Sequence, residues 1–354
     1  MTQEDPMTPS PNRLPGNGPP RVGPGTDRRA DRSDRLVVVL TGASSGIGRA
    51  TAAAFARQGA TLVLASRHRP TLDLVAMECG QAGARTLAVP TDVADAEQMQ
   101  RLADAALRNF GRIDVWINNV GVGAVGRFEE TPMAAHRRVV EVNLLGHMNG
   151  AHAVLPHFMA RGRGVLINMV SAGGWVSTPY AGAYVASKFG LRGWSECLRA
   201  EVADQPDIHV CAVYPTFVDT PGIAHGANYA GRQLRPPPPL VDPRRVAATL
   251  VNLARRPQPV TWVGAPAVPG RVAHALAPNL VAGAIRRLFD RALSRARPAA
   301  VAEGNLFAPS VNTAIDGGYR QANRPMVLKM SLAAGAGLAV LGLLAARRMG
   351  GPRR

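Results

Sequence analysis

The 354-residue chain is 46% apolar, enough for one large core with extensions or for two small domains. Its three cysteines, Cys79, Cys197 and Cys211, are odd in number and far apart, so they form neither a disulfide framework nor a metal-ligand pattern, and they fit a reducing compartment. The formal charge of +17 is concentrated from Arg244 onward, where 16 Arg and one Lys face only Asp290, Glu303 and Asp316.

Such a basic end suits nucleic acid or an anionic membrane surface, or it is a solvated face of an arginine-rich chain. Nucleic acid is the weaker partner. The arginines lie beside apolar faces, and no aromatic stacking residues are interleaved with them.

Residues 1–34 are rich in Pro, Gly and Arg, show no apolar period and read as a disordered arm. They lack the apolar core of a signal peptide, so a cytoplasmic location is expected. From Arg35 the texture changes. Leu36–Leu40 is a continuous apolar run, as a strand buried on both faces requires. Similar runs recur at Thr61–Ala65, Thr86–Val89, Ile113–Ile117, Val165–Val170, Ile208–Val213 and Val260–Val263. Helix-length stretches lie between them, including Ala50–Gln58, Ala96–Asn109, Ala134–Ala160, Ala183–Ala203 and Pro243–Arg255. The alternation predicts an α/β domain over 35–264, a doubly wound parallel sheet of about seven strands and six helices. The proline run Pro236–Pro239 predicts a stiff loop over the site.

The first strand runs straight into Thr41-Gly42-Ala43-Ser44-Ser45-Gly46-Ile47-Gly48. Glycines at this spacing let the backbone turn sharply and approach a pyrophosphate, and the helix behind aims its N–H groups at the phosphates. The second strand ends Ser66-Arg67-His68-Arg69, with no acid to hold a ribose 2′-hydroxyl. Ser66 and Arg67 instead suit a 2′-phosphate, which favours NADP(H) over NAD(H).

Tyr184 and Lys188 are four apart on a predicted helix and share a face. A free tyrosine, with a pKa of about 10, is a poor base at neutral pH, and a nearby ammonium brings that value down. Only two of the 41 basic residues are lysines, Lys188 and Lys329, and a compact ammonium is what such a site needs. Ser171 ends the fifth strand at the sheet edge where open α/β sheets bind ligands, and can polarise a substrate oxygen. Asn143 falls within a long predicted helix, where a side-chain amide is disfavoured, so a buried role such as holding a water for proton relay fits it.

Together the loop Thr41–Gly48, the turn Asn118-Asn119-Val120-Gly121, Asn143, Ser171 and Tyr184-Val185-Ala186-Ser187-Lys188 resemble the short-chain dehydrogenase/reductase family in order and separation. The resemblance spans about residues 35–265. It implies a Rossmann-type fold, a nicotinamide cofactor, a small-molecule carbonyl or alcohol substrate and a tetrad of Asn143, Ser171, Tyr184 and Lys188. It assigns Gly42, Ser44, Ser45, Gly46, Ile47, Gly48, Asp92, Val93, Asn119, Tyr184, Lys188, Val218 and Thr220 to the cofactor. It also implies a homo-oligomer, built through the helices around Asn109 and Tyr184. Two positions depart from the family pattern: Val120 replaces an Ala, and Thr216 replaces a Gly whose backbone angles only glycine tolerates freely. The competing class is a nucleotide-bound scaffold at the membrane that has lost the chemistry; an intact Tyr184/Lys188 pair argues against it.

Beyond Gly264 the strand–helix alternation stops. Residues 265–325 read as a basic extension, in which Val281, Ala284, Ile285, Leu288 and Ala292 share one helical face and Arg286, Arg287 and Asp290 the other. Residues 326–346 are apolar except for Lys329 and Ser331, long enough to reach across a bilayer, and predict membrane association through the tail. Packing of that helix on the domain or on a second subunit is the alternative.

Overall fold

The computed structural model describes residues 35–264 and 276–322. The expected arm at 1–34 and apolar tail at 326–346 lie outside the described residues.

Seven parallel strands form one sheet: β1 Val37–Thr41, β2 Thr61–Ser66, β3 Arg85–Pro90, β4 Val115–Asn118, β6 Gly164–Met169, β7 Ile208–Pro215 and β9 Val260–Val263. Their order across the sheet is β3-β2-β1-β4-β6-β7-β9. Two short strands, β5 Ala124–Val125 and β8 Ala227–Asn228, pair separately. Consecutive side chains of each strand point to opposite faces. Val38, Leu40, Leu62 and Leu64 therefore enter one core and Val39, Val63 and Trp116 the other. Both faces are covered, which is why the strands read as unbroken apolar runs. Each fully buried Leu, Ile or Val contributes about 1.5–3 kcal/mol.

The first face packs on α1 (Gly46–Ala56), α2 (Arg69–Gln81) and α8 (Pro243–Arg255). The second packs on α3 (Ala96–Phe110), α4 (Met133–Val140), α5 (Gly146–Arg161) and α6 (Gly182–Glu201), and α7 (Gly222–His225) is a single turn beyond β7. Asp95 caps α3 through the Gln98 N–H and Asp242 caps α8 through the Arg244 N–H. The helix α2 is not among the five stretches named from the sequence, which counts about six helices; only Thr71, Leu72, Val75 and Cys79 of it are buried, a thin stripe to read from sequence.

The expected helix Ala134–Ala160 is interrupted. Between α4 and α5 lies a π-helical turn, Glu141–Leu145, with Asn143 in it. The widened turn has a local cause: the Asn143 amide both donates to and accepts from the Val122 backbone, at 2.8 Å each. Thr216 shows no positive φ; among the described residues only Ser171 and Tyr180 do so without being glycine. The loop after β7 therefore needs no glycine there.

Beyond the sheet, α9 spans Pro278–Arg295 and α10 is one turn, Tyr319–Ala322. Asp290 faces the domain and accepts a hydrogen bond from the Tyr180 hydroxyl, whereas Leu280 (78% exposed) and Leu288 (61%) face outward. Among the described residues no helix is long and apolar enough to cross a membrane.

Candidate active site

The strand order reverses between β1 and β4, so their C-terminal ends open a crevice. The glycine loop lies on one side of it. Gly42 has φ +67° and Gly46 φ +52°, and a Cβ on Gly48 would fall 1.8 Å from the Gly42 carbonyl oxygen. Asn119, just beyond β4, braces this loop by donating from Nδ2 to the carbonyls of Thr41 (3.1 Å) and Gly42 (3.2 Å). The Thr41 hydroxyl, which sequence reasoning did not single out, accepts from the Asn119 N–H at 3.0 Å. Thr220 closes the other flank, its Cβ 3.2 Å from where a Cβ on Gly46 would lie. Val218 is buried and bridges to Val241.

Three observations test the fit of a dinucleotide here. The Gly42–Gly48 approach leaves bare backbone facing the crevice. Ser45, the N-cap of α1, makes no side-chain cap, and the first N–H of the helix, that of Gly46, donates to a carbonyl outside it, Ala314. The Ser66 hydroxyl is buried without a hydrogen-bond partner among the described residues. The residues fit the group. Asp92 accepts from Arg138 at 2.5 Å, and the carbonyl of buried Val93 accepts from Asn149 at 2.9 Å. Arg67, which the sequence assigns to a 2′-phosphate, is half-buried and already engaged by main chain. Its two terminal nitrogens donate to the carbonyls of Asn305, Leu306, Phe307 and Ala308. The segment after α9 supplies those carbonyls and carries no motif that could have announced it.

Across the crevice the structure brings Ser171, Tyr184 and Lys188 together. Ser171 follows β6, accepts from the Gly173 N–H at 3.0 Å and hydrogen-bonds the Tyr184 phenol. Tyr184 and Lys188 project from the first turns of α6. The Lys188 ammonium donates to the Met169 carbonyl at 2.8 Å and lies 5.9 Å from the Tyr184 ring centre. Asn143 reaches the same group indirectly: its Nδ2 is 3.2 Å from the Ser187 hydroxyl, which donates to the Tyr184 carbonyl. A Cβ on Gly121 would lie 3.9 Å from both Asn143 Oδ1 and Lys188 Nζ, so these two face one space.

The electrostatics differ from the sequence expectation. Burial pushes the Tyr184 phenol above its ordinary value, and the Ser171 hydrogen bond opposes that. Burial pulls the Lys188 ammonium down to about 7. His147 lies fully buried behind them; loss of solvation, and then the Lys188 charge, hold its imidazole well below the usual range.

Residues 36–227 match the family described as short chain dehydrogenase. The chain is 31% identical over 265 residues to "Uncharacterized oxidoreductase YxnA" of Bacillus subtilis, a match covering 74% of each protein. Among solved structures it is similar to an alcohol dehydrogenase from the archaeon Thermococcus sibiricus complexed with 5-hydroxy-NADP. That likeness has 29% identity and a TM-score of 0.57, over 65% of this chain and 95% of the other. A short-chain dehydrogenase/reductase from Burkholderia phymatum in complex with NAD aligns at 26% identity and a TM-score of 0.58, over 76% of this chain and 98% of the other. The sequence match runs from β1 through the tyrosine-bearing helix to β8, the same stretch that builds the glycine loop and the Ser–Tyr–Lys cluster, and it makes this chain a member of the short-chain dehydrogenase/reductase family of oxidoreductases.

Proposed function

We propose that the protein is an NADP(H)-dependent oxidoreductase interconverting a carbonyl and an alcohol on a hydrophobic small molecule, with Tyr184 as general acid and base. The observation that carries this reading is the convergence of the Ser171 hydroxyl, the Tyr184 phenol and the Lys188 ammonium at the crevice edge.

The nicotinamide group, when bound, supplies or takes up the hydride. Gly42, Ser44, Ser45, Gly46, Ile47 and Gly48 would hold the pyrophosphate, with Ser66 and Arg67 at the 2′-phosphate. Asp92 and Val93 would flank the adenosine, and Asn119, Val218 and Thr220 the nicotinamide half. Ser171 hydrogen-bonds the substrate oxygen and polarises it. During reduction the Tyr184 hydroxyl gives its proton to that oxygen; during oxidation it takes the proton back. Lys188 stabilises the phenolate left behind, offsetting the burial that pushes the phenol up. Asn143 fixes the backbone at Val122, and faces the space beside Lys188 through which a proton is replenished. Self-association through α3 and α6 belongs to the same reading.

The test incubates purified protein with NADPH, or NADH, and a panel of ketones, steroids and long-chain aldehydes, following loss of nicotinamide absorbance. Turnover favouring NADPH supports the reading. Nucleotide binding with no turnover of any compound, and no difference between wild type and Tyr184→Phe, would leave a nucleotide-bound scaffold instead.

The outward face of α9 favours an anionic membrane surface as a second partner. Leu280 and Leu288 are exposed there, with exposed Arg287, Arg291 and Arg295 on the same helix. Leucines for the acyl boundary and arginines for the headgroups are what an interfacial helix needs. Co-sedimentation with phosphatidylserine vesicles, lost in a Leu280→Glu/Leu288→Glu double variant, supports the partner; equal binding by both proteins rejects it.

A further inference from the structure

We propose that residues 303–320 form the outer wall of the cofactor crevice at its adenosine end, clasped shut by Arg67, and that this wall retains the bound nucleotide. The inference rests on the cofactor reading above and adds a segment outside the residues matched to the family.

The segment is anchored at both ends on loops that border the site. At its start Asn228 and Ala302 exchange two backbone hydrogen bonds of 2.8 and 3.0 Å, and the Asn305 N–H donates to the His225 carbonyl at 2.8 Å. Gly304, at φ +55°, passes so close to this loop that a Cβ would fall 2.3 Å from the His225 oxygen. At its end the buried Asp219 carboxylate accepts from the Tyr319 N–H (2.9 Å), the Arg320 N–H (3.0 Å) and Arg320 Nε (3.1 Å). Arg320 also pairs with Asp242 and Asp316.

Between these anchors the chain crosses the crevice rim. Its carbonyls accept from three arginines on three different elements: Arg67 after β2, Arg49 on α1 (to Thr313, 2.5 Å) and Arg138 on α4 (to Leu306, 3.1 Å). The Ala314 carbonyl takes the Gly46 N–H at 2.9 Å. Leu306 is fully buried in the second core cluster, which fixes the turn in depth.

The segment satisfies Arg67 and the Gly46 N–H but leaves two of the polar groups it covers unpaired. The Ser66 hydroxyl and Asn305 Oδ1, on the two sides of Arg67, are both buried without partners among the described residues. Buried polar atoms are ordinarily paired, so these two are left over for the polar groups of a ligand that enters between β2 and the turn. An adenosine with its 2′ substituent has the hydroxyl, amine or phosphate groups to pair with both. The wall therefore stands around the nucleotide, and exchange requires it to lift.

The experiment uses the full chain, as wild type, Arg320→Ala and Gly304→Val. The first variant cuts the far anchor and the second lifts the near one; neither residue is placed in the catalytic or nucleotide-binding set. Kd and release rates for NADPH and NADH are measured by fluorescence and stopped-flow displacement, with hydrogen exchange across 303–320. The expected result is roughly tenfold weaker binding of both nucleotides, expressed as faster release, with kcat undiminished. In the wild type, nucleotide slows exchange across 303–320. Unchanged Kd and release rates overturn the wall, and tighter binding in the variants overturns it in favour of a plug. Wild type that binds neither nucleotide overturns it together with the cofactor reading, so the two failures are distinguishable.

Discussion

Gly48 and Gly42 approach so closely that a methyl group on Gly48 would sit 1.8 Å from the Gly42 oxygen. No rotamer relieves such a clash, because the backbone fixes where a Cβ lies and its partner is main chain. Gly48→Ala must shift the loop or the start of α1, at a cost of about 1–3 kcal/mol. The same shift spoils the phosphate cradle. Thermal unfolding should show the loss of stability, and titration with NADPH at least a roughly tenfold loss of affinity. Wild-type affinity in this variant would mean that the nucleotide does not use the loop.

Removing the phenol oxygen removes the proposed proton donor while keeping the ring. Tyr184→Phe should lower kcat by roughly 10²–10⁴-fold with NADPH affinity nearly intact. Steady-state kinetics on any active carbonyl, beside a binding titration, check both halves. Residual activity within a few-fold of wild type would move the acid/base role to another group.

The Lys188 ammonium carries a stability signature that needs no substrate. Burial holds it at about 7 in the fold, against an ordinary value of about 10.4 when unfolded. Between these values the unfolded chain binds one more proton than the native one, so this group makes stability rise with pH, by up to about 1.4 kcal/mol per unit. Its cost is fully present below pH 7 and fades toward 10. Lys188→Met removes the cost, so its stability advantage over wild type should shrink from pH 7 to 9. Chemical denaturation of both proteins across that range checks the slope; a constant difference would mean an ordinary lysine.

Ser66 can be tested separately from Arg67, because Arg67 also clasps the C-terminal segment. Ser66→Asp places a carboxylate beside the proposed 2′-phosphate site. Like-charge repulsion disfavours NADPH, while the acid can accept from a ribose hydroxyl of NADH. The ratio of kcat/KM for NADPH over NADH should fall by roughly 100-fold, about 2.7 kcal/mol. An unmoved ratio would place the phosphate elsewhere.

The seven strands were legible because burial on both faces writes continuous apolar runs, with Val38 and Leu40 serving one core and Val39 the other. The positions of Ser171, Tyr184 and Lys188 relative to one another were legible because helical spacing and strand ends translate directly into space. The remainder depends on contacts that leave no trace in residue type. The segment at 303–320 binds Arg67 through main-chain carbonyls, which any sequence offers. The side of α9 that meets the domain is marked by one bond between Tyr180 and Asp290, 110 positions apart. The π-helical turn at Asn143 answers to the backbone of Val122, which helical periodicity does not report.

The pins at Ala302 and Tyr319 also govern where the chain can be edited. Between Asn228 and Asp219 the arc has a set contour, so an inserted tag or fluorophore loop at 305–316 has no slack to occupy and must buckle outward. Reporter insertions belong instead in the exposed turn at 203–207, which leads into β7 on the opposite edge of the sheet and leaves the crevice untouched.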